Sequence, residues 1–98
     1  MIIVTRHKGA VEWLRRNGIE GKVIAHAHES DVVGEDVIGV LPFHLAYLAN
    51  TITTIDMDLP LELRGQDVSP EQMDEFGARL TTYIVAKSNR AKLKKKEQ

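Results

Sequence analysis

The chain opens with an apolar, β-branched run that stops abruptly at a group of cationic side chains. Residues 2–5 are typical of a strand buried on both faces of a parallel sheet. Arg6, His7 and Lys8 follow at once, and after Gly9 the apolar residues take helical spacing. A buried strand that leads directly into a helix favours an α/β fold with crossover connections.

Three further apolar runs repeat this pattern. They predict strands over residues 22–26, 36–41 and 52–57, with an irregular polar crossover over 27–35. A short helix of about two to three turns is expected before Asn17 and Gly18, and a second over 43–50, after Pro42. The prediction is a small α/β domain with about four mostly parallel strands flanked by helices.

The last predicted helix has the clearest start signal in the chain. Ser69 is placed to cap it, Pro70 suits its first position, and Gln72 can complete a capping box. The apolar residues that follow have the spacing of one buried helical face, over Met73, Phe76, Leu80, Tyr83 and Ile84. The pattern therefore predicts a long helix that can continue into the carboxyl-terminal tail.

Charge divides the chain of 98 residues into a domain over 1–86 and a basic tail over 87–98. The net charge of −1 combines +5 in the tail, from six basic residues and Glu97, with −6 in the body. The body thus lacks the broad basic surface of a general nucleic-acid binder, and aromatic content of 5% argues against base-stacking RNA modules. The tail is either a solvated helix end or a nucleic-acid contact.

Cysteine is absent, which excludes disulfides and thiolate metal sites and suits a cytoplasmic protein. The opening apolar run is too short for a secretory signal or a membrane span, so neither is expected. The chain has no P-loop, no Gly-x-Gly-x-x-Gly run and no nucleophile elbow. His26 and His28 could share a strand face, but no third ligand has a recognisable spacing, so no metal and no cofactor is predicted.

Arg6, His7 and Lys8 are the first candidates for a binding site. Ligands of open α/β sheets bind outside the carboxyl ends of the strands, and a helix amino-terminus there favours anions. Arg6 can act as a bidentate phosphate donor, Lys8 as a point charge, and backbone N–H groups near Gly9 as further donors. His7 can serve as an acid or base near neutral pH. The alternative is a polar loop that solvates the end of the strand.

Two later segments are expected at the same sheet edge because parallel strands end there together. His44, after Pro42, could donate to a ligand phosphate or be an exposed first-turn residue. Asp58 could orient a His or Arg, or cap a turn. Arg64 is either a second phosphate ligand or a member of a surface ion pair.

Four short segments follow one another along the chain: Val4 to Ala10 with Trp13-Leu14, Ile38 to Pro42 with Leu45-Ala46, Asp58 to Pro60 with Arg64-Gly65, and Gly77 to Leu80. In this order they resemble a family of small CRISPR-associated accessory proteins of type III systems. The resemblance covers about residues 2–84, nearly the whole body.

The resemblance implies a Csx-class ring nuclease, an enzyme that cleaves cyclic tetra-adenylate and so switches off antiviral signalling. It implies a Rossmann-like homodimer related to the CARF domains that sense these rings. Arg6 and His7 match the first motif and become the catalytic candidates. At position 44 the family more often has Asn, so no catalytic role is carried over to His44. The candidate ligand-binding residues are Thr5, Lys8, Gly9, Pro42, His44, Asp58 and Arg64.

Such cleavage can proceed without metal, by attack of a ribose 2′-OH on the neighbouring phosphorus. Arg6 and Lys8 would then neutralise developing charge while His7 assists proton transfer. Two alternatives use the same chain differently. One is a sponge that binds the ring without cutting it, and the other is an interaction protein that uses the basic tail on RNA or an effector complex.

Overall fold

The computed structural model describes residues 1–88, which form a five-stranded sheet between two layers of short helices. A 3₁₀ turn over Leu61–Leu63 lies in the loop between the fourth strand and the last helix. The elements in chain order are β1 (Ile2–Val4), α1 (Lys8–Arg16), β2 (Lys22–Ile24), α2 (Glu29–Val32), β3 (Asp36–Ile38), α3 (Phe43–Ala46), β4 (Thr51–Asp56), α4 (Pro70–Glu75) and β5 (Arg79–Tyr83).

The strands lie in the order β2-β1-β3-β4-β5. All neighbours are parallel except β4 and β5, which are antiparallel. The predicted small, mostly parallel, Rossmann-like α/β fold is therefore confirmed. Strand β2 lies on one side of β1, and β3, the next strand in the chain, lies on the other side of β1. Strand order thus reverses between β1 and β3, which makes a topological switch point.

Both faces of β1 and β3 are buried, as the unbroken apolar runs predict. Ile2 and Val37 pack with α2 and α3 on one face of the sheet, while Ile3 and Ile38 pack with α1 and α4 on the other. The alternation follows from the strand period of two. The core of the second face contains three large buried side chains, Trp13, Leu14 and Met73.

Several elements differ in type or length from those that the sequence pattern predicts. Residues 27–35, expected to be irregular, contain the one-turn helix α2, where the His28 N–H donates to Asp31 Oδ2 at 2.8 Å. Helix α3 ends at Ala46 rather than at residue 50. Strand β3 ends before Gly39, whose φ of 140° takes the chain out of strand conformation.

The single long helix predicted after Ser69 is wrong. Its start is confirmed, since Ser69 Oγ accepts the Gln72 N–H at 3.1 Å and Gln72 Oε1 accepts the Ser69 N–H at 2.9 Å. However, α4 ends at Glu75, and Gly77 takes a left-handed φ of 74° that terminates the helix.

The residues after Gly77 form β5, the fifth strand, instead of more helix. β-Branched Thr81 and Thr82 favour a strand, and pairing with β4 satisfies their backbone. Their hydroxyls bind across the ladder, Thr82 to Thr53 and Thr81 to Asp56. The apolar residues assigned to one helical face therefore separate, and Leu80, Tyr83 and Ile84 are exposed on β5 or just after it.

The predicted basic tail falls almost entirely on residues 89–98, which lie outside the described residues. Before them, Lys87 places its Nζ 5.5 Å from the centre of the Tyr47 ring, a cation–π contact. No helix within residues 1–88 combines the length and the hydrophobicity needed to cross a membrane.

Thr81→Val tests the link between β5 and the charge on Asp56. The Thr81 hydroxyl, and then that of Thr54, hold the pKa of Asp56 below its usual range. A lowered folded-state pKa stabilises the fold above the unfolded value of about 3.9, and this stabilisation is lost as pH falls through the folded pKa. We expect Thr81→Val to lower the melting temperature at pH 7 and to differ less from the wild type at pH 2–3.

Thr82→Val is the matched control, because its hydroxyl binds Thr53 and not a carboxylate. Its effect on the melting temperature should stay constant over the same pH range. A Thr81→Val deficit that is equally large at pH 2–3 and at pH 7 would contradict the assignment.

Candidate functional site

A cavity of about 560 Å³ opens at the carboxyl ends of β1, β3 and β4. It lies at the switch point between β1 and β3, where open α/β sheets bind their ligands. Its floor is apolar and comes from the core, and its rim mixes polar and apolar residues. The rim comprises Thr5, Arg6 and His7 after β1, Gly39 and Val40 after β3, and Leu59, Gly65, Gln66 and Val68 after β4.

The turn after β1 is held by one backbone hydrogen bond and one hydrogen bond to a side chain. The Thr5 N–H donates to the Ile24 carbonyl at 3.0 Å, and Thr5 Oγ1 accepts the His7 N–H at 3.1 Å. His7 then occupies the N-cap position of α1, with Lys8 as the first helical residue. The cationic side chains are thereby presented where the sheet ends and the helix begins, as the sequence predicts.

Arg6 and Lys8 bring positive charge to this end of the sheet. Within residues 1–88, no carboxylate forms an ion pair with Arg6 or Lys8. Both side chains are exposed, and Arg6 lines the cavity. An unpaired guanidinium beside an apolar pocket suits an anionic ligand that also carries apolar surface.

Gly39 shapes the wall between β1 and β3. A Cβ at this position would lie 2.5 Å from the Val4 carbonyl oxygen, which is closer than any real contact. The φ of 140° adds a second constraint, since residues with a side chain rarely adopt it. Glycine is thus required for the ends of β1 and β3 to approach each other at the cavity.

The loop between β4 and α4 closes the cavity on its other side. A Cβ on Gly9 would lie 2.0 Å from the Val68 carbonyl oxygen, so the loop backbone rests directly on the start of α1. Sequence reasoning offered Gly9 as a phosphate donor, whereas in the structure it lies outside the cavity lining and allows this close packing.

This contact brings in two polar residues that sequence reasoning missed, Gln66 and Asp67. Gln66 lines the cavity, and Asp67 Oδ1 accepts a hydrogen bond from His7 Nδ1. The available signal was their position between Gly65 and the Ser69 cap, a short polar segment after a predicted loop. Sequence offered no means of pairing positions 7 and 67, because they are sixty residues apart.

Of the predicted site residues, Thr5, Arg6 and His7 line the cavity. Lys8 and Gly9 lie just beyond it on α1. Pro42 caps α3, and His44 is an exposed residue within α3, so neither contributes to the lining. The remaining predicted ligand-binding residues outside the lining are Asp58 and Arg64.

Asp58 instead forms an ion pair with Arg79, with 3.6 Å between Oδ1 and Nη2. Sequence reasoning placed Arg79 on the last helix, and the structure places it on β5. Arg64 is exposed at the end of the 3₁₀ turn, next to the cavity residue Gly65. The segment after β4 therefore lines the cavity with Leu59 and Gly65. Its charged residues, Asp58 and Arg64, lie outside the lining.

His26 and His28 are not part of a ligand cluster. No group of three or more potential metal-ligating residues lies together in the described part of the chain. The backbone of His28 takes part in capping α2.

A family model described as "Putative CRISPR-associated protein (Cas_VVA1548)" matches residues 2–86. The chain belongs to this family. The match includes all five strands and every residue that lines the cavity. Comparison of this CRISPR-associated protein with curated proteins gives no match, and comparison with solved structures gives none. The family name supports the CRISPR part of the resemblance and does not specify an activity or a ligand.

Gly39→Ala tests the cavity wall of the CRISPR-associated protein. Both the clash with Val4 and the unusual φ should destabilise the fold, by about 1–3 kcal/mol or more. Gly34→Ala is the control, because Gly34 also has a positive φ of 72° but no atom within 4 Å of the added Cβ. Urea unfolding should show the larger loss for Gly39→Ala, and equal losses would contradict the close approach.

Proposed function

We propose that this CRISPR-associated protein is a metal-independent ring nuclease that binds and cleaves cyclic tetra-adenylate, and so ends type III antiviral signalling. The observation that carries the proposal is Arg6, which has no carboxylate partner within residues 1–88 and lies beside His7 at the rim of the switch-point cavity. Membership of a CRISPR-associated family supports a ligand from that system. The resemblance of the first motif to ring nucleases supports this particular ligand.

The cavity has features that suit a nucleotide. Its volume lies in the range of small-molecule sites, its floor is apolar enough to receive a base, and its rim carries a cation for a phosphodiester. A ring of four nucleotides is larger than one such cavity, so each cavity would hold part of it.

A homodimer would provide the second cavity. Cyclic tetra-adenylate has near two-fold symmetry, and a C2 dimer presents the same loop twice, once from each subunit. Arg6 from both subunits would then meet phosphates on opposite sides of the ring.

In the proposed reaction the ribose 2′-OH attacks the neighbouring phosphorus in line. A bond forms between O2′ and phosphorus, the bond to O5′ breaks, and the product carries a 2′,3′-cyclic phosphate. His7 takes the proton of the 2′-OH, and the resulting imidazolium gives a proton to the leaving O5′. Arg6 stabilises the charge that develops on the phosphoryl oxygens.

Incubation with labelled cyclic tetra-adenylate in EDTA, at large substrate excess, tests the activity. We expect many turnovers to linear product with a 2′,3′-cyclic phosphate end. Stoichiometric retention of intact ring would replace this proposal with a sponge, and absence of both binding and cleavage would reject the ligand.

Arg6→Ala and His7→Ala test the separate roles proposed for the two residues. Loss of a charged hydrogen-bond donor costs about 1.5–3 kcal/mol, so Arg6→Ala should weaken ring binding about 10- to 100-fold. Loss of a general base costs about 10²–10⁴ in rate, so His7→Ala should bind the ring normally and turn it over slowly.

Arg15→Ala and His26→Ala are the matched controls, since both residues are exposed and lie outside the cavity. They should behave like the wild type in binding and in turnover. Wild-type behaviour of both Arg6→Ala and His7→Ala would place the active site elsewhere.

A further inference from the structure

The contact between His7 and Asp67 joins two distant parts of the chain at the cavity rim. His7 Nδ1 donates to Asp67 Oδ1, and the two side chains are 60% and 74% exposed. Exposed ion pairs contribute little to stability, about 0–1 kcal/mol. The pair therefore adds little to the stability of the fold. Its position beside the cavity suits a role in catalysis instead.

The contact has a direct consequence for the imidazole. A carboxylate can only accept a hydrogen bond, so Nδ1 must carry the proton. In the neutral ring, Nε2 then holds the lone pair and is the nitrogen left to meet a ligand. The same carboxylate would stabilise the imidazolium that forms when Nε2 takes up a proton, as in the Ser-His-Asp arrangement.

The backbone on each side of the pair is held independently. The His7 N–H donates to Thr5 Oγ1 at 3.1 Å, which fixes the turn after β1. On the other side, Val68 follows Asp67 directly and packs its carbonyl against Gly9. Ser69 then begins the capping box of α4. Asp67 thus lies between a backbone contact and a helix cap, and is not at the tip of an unsupported loop.

We propose that Asp67 is the positioning residue of the reaction, holding the His7 ring so that Nε2 accepts the proton of the attacking 2′-OH. Asp67 itself contacts no substrate atom. The inference rests on the proposed function, because it assigns a role within ring cleavage. The proton passes from O2′ to Nε2 and is later returned to the leaving O5′, so no further reactant is needed.

Asp67→Asn is the primary test, measured as kcat and KM with cyclic tetra-adenylate. The amide keeps the shape of the side chain but can donate to Nδ1, which favours the opposite tautomer. We expect kcat to fall about 10- to 1,000-fold while KM changes less than about twofold. Asp67→Glu, which keeps the carboxylate, should recover part of the lost kcat.

Glu62→Gln is the matched control, because Glu62 is an exposed carboxylate on the same loop and does not line the cavity. It should keep the wild-type kcat. Wild-type kcat in Asp67→Asn, or an equal loss in Glu62→Gln, would overturn the role of Asp67 and leave the ring nuclease proposal intact.

A second readout does not depend on turnover. The ¹⁵N chemical shifts of the His7 ring in the ligand-free protein report which nitrogen is protonated. We expect the Nδ1–H tautomer in the wild type and in Glu62→Gln, and a shift towards the Nε2–H tautomer in Asp67→Asn. The same tautomer in the wild type and in Asp67→Asn would overturn the inference. Failure of the wild type to cleave the ring, with the expected tautomers seen, would instead reject the proposed function.

Discussion

The parallel pairing of β1 with β3 is the interaction on which the rest of this CRISPR-associated protein depends. β1 pairs in parallel with both β2 and β3, and the crossover connections of a parallel sheet place helices over both of its faces. Ile2 and Ile3 point to the two separate cores that result. The same pairing places the strand ends side by side, and Gly39 lets them approach closely enough to form a cavity wall.

The cavity combines an apolar floor with a cation at its rim. Its floor is continuous with the apolar core through Leu14, Ile38 and Met73, while Arg6 at its rim has no carboxylate partner among residues 1–88. A ligand that carries both aromatic rings and negative charge would satisfy both. The His7–Asp67 contact adds an imidazole whose Nδ1 is hydrogen-bonded to a carboxylate from a distant part of the chain.

Prediction from sequence succeeded where the signal came from neighbours in the chain. It failed where a local pattern was compatible with both a helix and a strand. The capping box at Ser69 involves neighbours in the chain and was confirmed. The apolar spacing from Met73 to Ile84 fitted a helix, but Gly77 could end it and Thr81 favoured a strand. Pairing with β4 decided between them, and no short window of sequence contains that partner.

The sequence by itself determined the α/β class, the buried strands and the presence of Thr5, Arg6 and His7 at a strand end, because each follows from residues adjacent in the chain. Only the tertiary structure decided the strand order and which loop completes the cavity. The packing of Val68 on Gly9 brings Asp67 to His7, across sixty residues. Such a contact depends on how separate elements pack, and the residues themselves carry no pattern that encodes it.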